Sequence, residues 1–179
     1  MRLPKITSRA LLLAFIVAAV WTVLVLAVPY TIPSGTLADL SGRVGGHENE
    51  DQFDDLSPVA HAVYWLGDAE CHQISNRSYY LNDNQMPFCA RDLGLFVGVA
   101  VGFGMATFYR MRVKPWYFLL LIVPLAVDGG LQAVTSYESN NPLRLGTGIL
   151  AGIGLALLLA EFVLVLREDS RKAHQKESQ

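Results

Sequence analysis

Four side chains of types that commonly bind metals lie near one another in the sequence: Cys71, His72, Cys89 and Asp92. Together they offer sulfur, nitrogen and oxygen ligands, a set that suits a borderline-soft metal such as zinc, with iron as the other candidate. We therefore predict a metal site formed by these four residues. A disulfide between Cys71 and Cys89 is the alternative, because two cysteines in an oxidising compartment usually pair. A redox dithiol is disfavoured, since the chain has no C-x-x-C motif.

A second set of candidates is charged and flanks or lies within apolar sequence: Arg91, Asp128 and Arg144. An ionised carboxylate in hydrocarbon costs at least about 2.5–3.5 kcal/mol, so Asp128 is expected to face protein and to have a partner. Arg91 or Arg144 can supply that partner in a structural salt bridge. In the functional alternative, Asp128 is a catalytic base or a further metal ligand, and the two arginines bind an anionic group such as phosphate.

Membrane-spanning helices are expected to position these residues. Of 179 residues, 52% are apolar and 17% are charged, and the apolar ones concentrate in blocks 10–28, 93–109, 115–134 and 145–166. Each block is close to the roughly 20 residues with which a helix crosses the hydrocarbon core. The sequence therefore predicts an all-α integral membrane bundle of four transmembrane helices, with a long first loop that contains a short helix. This composition, with a net charge of −2, excludes a soluble enzyme, a disordered chain and a nucleic-acid-binding protein.

The basic residues predict the orientation of the bundle in the cell membrane. Ten of the fourteen Lys and Arg precede the first block, connect the second and third, or follow the fourth. The positive-inside rule therefore predicts cytoplasmic termini and an extracytoplasmic first loop. Between positions 29 and 92 there are ten acidic and three basic residues, which is typical of a solvated segment. We divide the chain into an N-terminal tip with its anchor helix (1–33), an acidic extracytoplasmic linker (34–56), a membrane core (57–166) and a charged cytoplasmic tail (167–179).

Glycines recur at every fourth position in two of the blocks, at Gly94, Gly98 and Gly102 and at Gly148 and Gly152. Because small residues let helix backbones approach closely in a membrane, the second and fourth helices are predicted to pack together. Homo-oligomerisation through the same surfaces is the alternative. Glu161, nearer the cytoplasmic end of the fourth block, is expected to pair with Arg110 or Arg112.

Several segments resemble a family of small prokaryotic membrane proteins known as domain of unknown function 2085. The resemblance covers about residues 57–166 and is carried by Cys71-His72-Gln73, Arg77-Ser78-Tyr79, the stretch 86–94, Pro124, Asp128-Gly129-Gly130, Gln132, the stretch 139–141, Leu143-Arg144 and Thr147-Gly148. It implies a multi-span membrane protein whose signature lies in these polar groups, and it implies no particular reaction. Many members have a second cysteine where this chain has Asp92, and the carboxylate favours metal coordination or acid–base chemistry over a dithiol.

Three functions follow from these patterns. The first is a polar, metal-binding site at the extracytoplasmic face that binds or acts on a lipid headgroup or another small anionic ligand. The second is an oligomeric transporter or channel component, with Asp128, Gln132 and Glu161 along a polar path. The third is a structural assembly factor with a Cys71–Cys89 disulfide. Whether the protein is an enzyme is left open by the sequence.

Overall fold

The protein is described from a computed structural model, which covers residues 6–109, 114 and 116–177. Five α-helices are present in these residues: α1 (Arg9–Ala27), α2 (Pro58–Glu70), α3 (Ala90–Phe108), α4 (Trp116–Val134) and α5 (Asn141–Glu177). Four of them, α1, α3, α4 and the first three quarters of α5, are long and apolar enough to cross a membrane. The predicted all-α bundle with four candidate spans and a short helix in the first loop is thus confirmed.

The loop before α3 also contains a β-hairpin that the sequence analysis did not predict. Strand β1 (Ser78–Leu81) pairs antiparallel with β2 (Asn84–Cys89). The two residues between the strands, Asn82 and Asp83, have positive φ angles of 53° and 57°. Asparagine and aspartate tolerate this conformation, which is the one that a two-residue hairpin turn requires. The hairpin brings Cys89 directly to the start of α3.

Helices α3 and α5 pack closely along their glycines. A Cβ atom added at Gly94 would clash with the carbonyl oxygen of Leu145, and one added at Gly98 would clash with that of Ile149. Gly148 and Gly152 on α5 meet α3 in the same way. The predicted contact between the second and fourth helices therefore forms within one chain. Helix α4 packs on α5 at the edge of the bundle, and Asp128 is the buried residue of this helix.

The two ends of the bundle differ. At one end, the backbone N–H of Thr7 donates to the carbonyl of Thr107 at 3.0 Å, and Arg167 donates to the carbonyl of Thr7 at 3.2 Å. The beginning of α1, the end of α3 and the later part of α5 therefore lie together, at what we call the terminal end. The opposite end, the cap end, is covered by residues 32–89, which we call the cap.

The cap has its own buried interior around Phe53, Tyr64 and Met86. Much of it is held by side chains that bond to backbone. The amide of Gln85 accepts from the N–H of Leu40 at 2.9 Å, and the hydroxyl of Tyr64 donates to the carbonyl of Gln85 at 2.7 Å. Leu37, Leu40 and Phe53 are buried, whereas the acidic side chains of the segment 50–55 are exposed. Within the acidic segment, Phe53 thus packs into the interior of the cap.

Candidate functional site

An ion pair joins α3 to α4 at the cap end. Arg91 lies in the first turn of α3, because the helix begins at Ala90 rather than at the predicted position 93. Its Nη2 donates to Asp128 Oδ2 at 2.7 Å and to Gln132 Oε1 at 3.3 Å, and Tyr137 donates to Asp128 Oδ1 at 3.2 Å. The carboxylate is 4% exposed. Of the two partners proposed for Asp128 from sequence, the structure therefore pairs it with Arg91.

The second arginine, Arg144, lies in the first turn of α5 and is 2% exposed. Its Nη1 donates to Asn141 Oδ1 at 3.3 Å, and its Nη2 is 4.0 Å from Glu138 Oε1. The same carboxylate oxygen accepts from Arg77 Nη2 of the cap at 3.4 Å. Glu138 and Tyr137 belong to the connection between α4 and α5, and sequence reasoning missed both. The signal available was their position directly before Ser139, in a stretch already recognised as polar.

The three arginines line one cavity of about 240 Å³, which we call the arginine pocket. Gln132 and Gly129 of α4 contribute to its wall, as do His72 and both cysteines. Four of the lining residues each carry a buried nitrogen atom that has no hydrogen-bond acceptor among the described residues: Arg77 Nε, Arg91 Nε, Gln132 Nε2 and Arg144 Nη2. Buried polar groups are nearly always hydrogen-bonded, so a group of unpartnered donors around one cavity is unusual.

Three of the four predicted metal ligands come together beside this pocket. The ligand atoms of Cys71, Cys89 and Asp92 all lie within 4.8 Å of one another. The N–H of Cys89 donates to Cys71 Sγ at 3.3 Å, and Cys89 Sγ donates to Asp92 Oδ2 at 3.2 Å. Both cysteines are free thiols in the structure. The hydrogen bond with Cys89 and burial raise the pKa of the Cys71 thiol.

His72, the fourth predicted ligand, is not part of this cluster and its side chain is exposed. The reason is local backbone geometry. Cys71 follows α2 with extended dihedral angles, φ −132° and ψ 147°, and successive side chains of extended backbone point to opposite sides. The side chains of Cys71 and His72 therefore point to opposite sides of the backbone, although the two residues are adjacent in sequence.

A second cavity, of about 340 Å³, lies beside the same cluster. It is mainly apolar, with Trp21, Phe88 and Phe96 in its wall, and it includes the carboxylates of Glu70 and Asp92. Asp92 thus borders this cavity, whereas the two thiols border the arginine pocket. Arg110 and Arg112, the two predicted partners of Glu161, lie outside the described residues.

The comparisons with known proteins bear on this same part of the chain. Residues 71–158 match the model of the family described as "Predicted membrane protein (DUF2085)". An uncharacterized protein of Methanothermobacter thermautotrophicus is 35% identical over 91 residues, which cover 49% of this chain and 82% of that relative. The chain belongs to this family. This membership confirms the resemblance seen in the sequence.

A second relative is the uncharacterized protein MJ1492 of Methanocaldococcus jannaschii, 36% identical over 102 residues. The match covers 54% of this chain and 64% of that relative's length. No solved structure matches the chain. The family description and the four apolar helices make this a membrane protein. The family match runs from Cys71 past Arg144 and so includes the arginine pocket, whereas α1 lies outside it.

Proposed function

We propose that this DUF2085 protein binds a small phosphate-class anion in the arginine pocket. One observation carries the proposal: the four lining residues Arg77, Arg91, Gln132 and Arg144 each have a buried N–H donor with no acceptor in the described protein. An unpartnered buried donor costs about 1–3 kcal/mol, and an anion with several oxygen atoms offers acceptors to these side chains once they turn toward the cavity. Guanidinium groups match the geometry of phosphate oxygens, with two parallel hydrogen bonds each.

The charges of the pocket favour the same ligand. Three guanidinium groups face two carboxylates, those of Asp128 and Glu138. Arg144 is close enough to Arg77 and Arg91 that the positive charges of all three side chains repel one another. Three like charges held close together, with one charge in excess of their two carboxylate partners, repel one another until an anion neutralises them. The volume of about 240 Å³ is below the usual range for drug-sized ligands, so it suits a single anionic group.

The protein also preorganises the pocket. Each arginine comes from a different segment, Arg77 from the cap, Arg91 from α3 and Arg144 from α5, and each already contacts a carboxylate. Asp128 and Glu138 thereby fix the guanidinium planes at small conformational cost when a ligand enters. In this function Asp128 orients Arg91 and holds no substrate itself, and the site requires no reaction.

We further propose that the pocket is extracytoplasmic and that both termini are cytoplasmic in the cell membrane. Thr7 and Arg167 lie at the terminal end of the bundle, and ten of the fourteen basic residues fall, in the sequence, before the first apolar block, between the second and third, or after the fourth. The arginine pocket is at the cap end, beside the first turns of α3 and α5. Fusing a reporter that is active only outside the cytoplasm after Asp55 and after Gln179 tests this. Activity at Gln179 alone would contradict it.

The ligand can reach such a pocket as free phosphate from water or as the headgroup of an anionic lipid. Calorimetry of purified protein in zwitterionic nanodiscs measures the affinity for inorganic phosphate, and nanodiscs that contain phosphatidylglycerol measure competition by lipid. We expect one saturable site. Phosphate binding that lipid does not weaken identifies the free anion, and phosphate binding abolished by lipid identifies the headgroup.

Variants test the location. Arg144→Gln and Arg77→Gln should each weaken binding at least tenfold, which corresponds to about 1.4 kcal/mol or more. Arg43→Gln is the matched control, because Arg43 lies in the cap with its side chain 89% exposed and does not line the pocket. Absence of binding in both kinds of nanodisc, or equal affinity of all three variants and the wild type, would refute the proposal.

A further inference from the structure

We propose that Cys71, Cys89 and Asp92, which we call the thiol–carboxylate cluster, bind a zinc-class divalent cation. This goes beyond anion binding, because none of the three belongs to the donors on which the arginine pocket depends. The observation behind it is geometric: three ligand atoms from two separate segments converge to within 4.8 Å. Tetrahedral zinc sites need such convergence, since Zn–S and Zn–O distances are about 2.3 and 2.0–2.2 Å.

The fold holds the three ligands in place before any cation binds. Cys89 is the N-cap residue of α3 and Asp92 lies in its first turn, so the two side chains are neighbours on one helix face. Cys71 is the C-cap residue, directly after α2. The two segments are joined by Gln73, whose Nε2 donates to the carbonyl of Pro87 at 2.9 Å, and by Gly67, where a Cβ would clash with the same carbonyl.

Metal binds the thiolate form of cysteine, so a cation has to displace the proton of Cys71, whose pKa is raised. Cys89 is at the N-terminus of α3, where the helix dipole stabilises negative charge. Cys71 Sγ already accepts a hydrogen bond from the N–H of Cys89 at 3.3 Å. Arg91, two residues after Cys89, is the nearest cation in sequence. These contacts offset part of the repulsion among two thiolates and a carboxylate, and a divalent cation offsets the rest.

The donor set selects the kind of metal. Two sulfur atoms and one oxygen suit zinc, whereas calcium and magnesium prefer oxygen ligands alone and iron–sulfur clusters are usually held by four cysteines. Three protein ligands leave a fourth position open, as in catalytic zinc sites. Both thiols line the arginine pocket. A water molecule or the bound anion in that pocket can therefore complete the coordination.

The test uses the full-length protein, purified anaerobically with reductant. We expect about one zinc per chain by elemental mass spectrometry. Metal-free wild type titrated with cadmium should show the ultraviolet charge-transfer band of thiolate coordination. Metal-free protein that gives no such band, or that contains a Cys71–Cys89 disulfide, would overturn the proposal. This measurement needs no variant and therefore does not depend on whether variants fold.

Substitutions then test whether zinc binding depends on this cluster, and not on His72 or on the arginine pocket. Cys89→Ser and Asp92→Asn should lower zinc content by at least tenfold at equal free zinc. His72→Ala is the matched control and should keep its zinc, because His72 lies outside the cluster. Zinc lost from His72→Ala would contradict the assignment. Arg144→Gln should keep zinc while losing phosphate, so failure of either proposal is visible without the other.

Discussion

Replacing Asp128 with asparagine, a side chain of the same shape without the charge, should strongly destabilise the bundle. The carboxylate is 4% exposed and accepts a 2.7 Å bond from Arg91 and a 3.2 Å bond from Tyr137. Neutral hydrogen bonds between membrane helices average about 0.6 kcal/mol. A bond to a charged group contributes about 1.5–3 kcal/mol, and removing one member of a buried pair costs about 3–5 kcal/mol. Because the Arg91 side chain is one quarter exposed, we expect a loss of about 2–3 kcal/mol.

Unfolding in mixed micelles, with a double-mutant cycle, measures this quantity. Asp128→Asn and Arg91→Gln should each destabilise, and the double variant should cost clearly less than the sum of the two. Glu48→Gln is the control, since its pair with Arg43 spans 3.8 Å with both side chains at least half exposed; such pairs contribute about 0–1 kcal/mol. A loss below about 0.5 kcal/mol for Asp128→Asn, or strictly additive effects, would refute the assignment of a buried, coupled pair.

Three further predictions concern the packing and the cap. Gly98→Ala should lower the free energy of unfolding by about 1–3 kcal/mol, because the added methyl group clashes with α5. Gly146→Ala is the control and should change it very little, because no atom lies within 4 Å of the added methyl group. Unfolding in mixed micelles compares the two variants. Burial raises the pKa of Tyr64, so the contribution of Tyr64 to the free energy of unfolding is complete below about pH 10 and is lost as the pH rises further. Tyr64→Phe should lower the free energy of unfolding at neutral pH by about 1–3 kcal/mol. In a pH series, the same variant should lose less stability at alkaline pH than the wild type does. Gln85→Ala should speed hydrogen exchange at the N–H of Leu40, which loses its acceptor, and unchanged protection there would contradict the hydrogen-bond assignment.

Most of the bundle could be predicted from sequence because its determinants are local. Apolar block length sets the spans, and glycines at every fourth position mark the contact between α3 and α5. That Asp128 has a cationic partner followed from the cost of a carboxylate in hydrocarbon, whereas the choice of Arg91 over Arg144 needed the structure. Helices α3 and α5 begin three and four residues earlier than their apolar blocks, since polar residues such as Arg91 and Arg144 occupy the first turns.

The hairpin could not be predicted because its stability is not local. In β2, Asn84 and Gln85 are polar yet fully buried, and they are satisfied by backbone groups of residues 29–40 that only the tertiary fold brings near. The sequence therefore lacks the alternation by which strands are recognised. Glu138 was missed for a related reason: an acidic residue in a connection resembles a solvated one until Arg77 and Arg144 are seen to meet there.

The most direct test of the anion-binding account is an experimental structure of crystals that contain tungstate, a heavy-atom analogue of phosphate. The account predicts an anomalous peak in the arginine pocket, within hydrogen-bonding distance of guanidinium nitrogens of Arg91 and Arg144. A pocket without a peak, in which the nitrogens now unpartnered donate to protein acceptors instead, would contradict it.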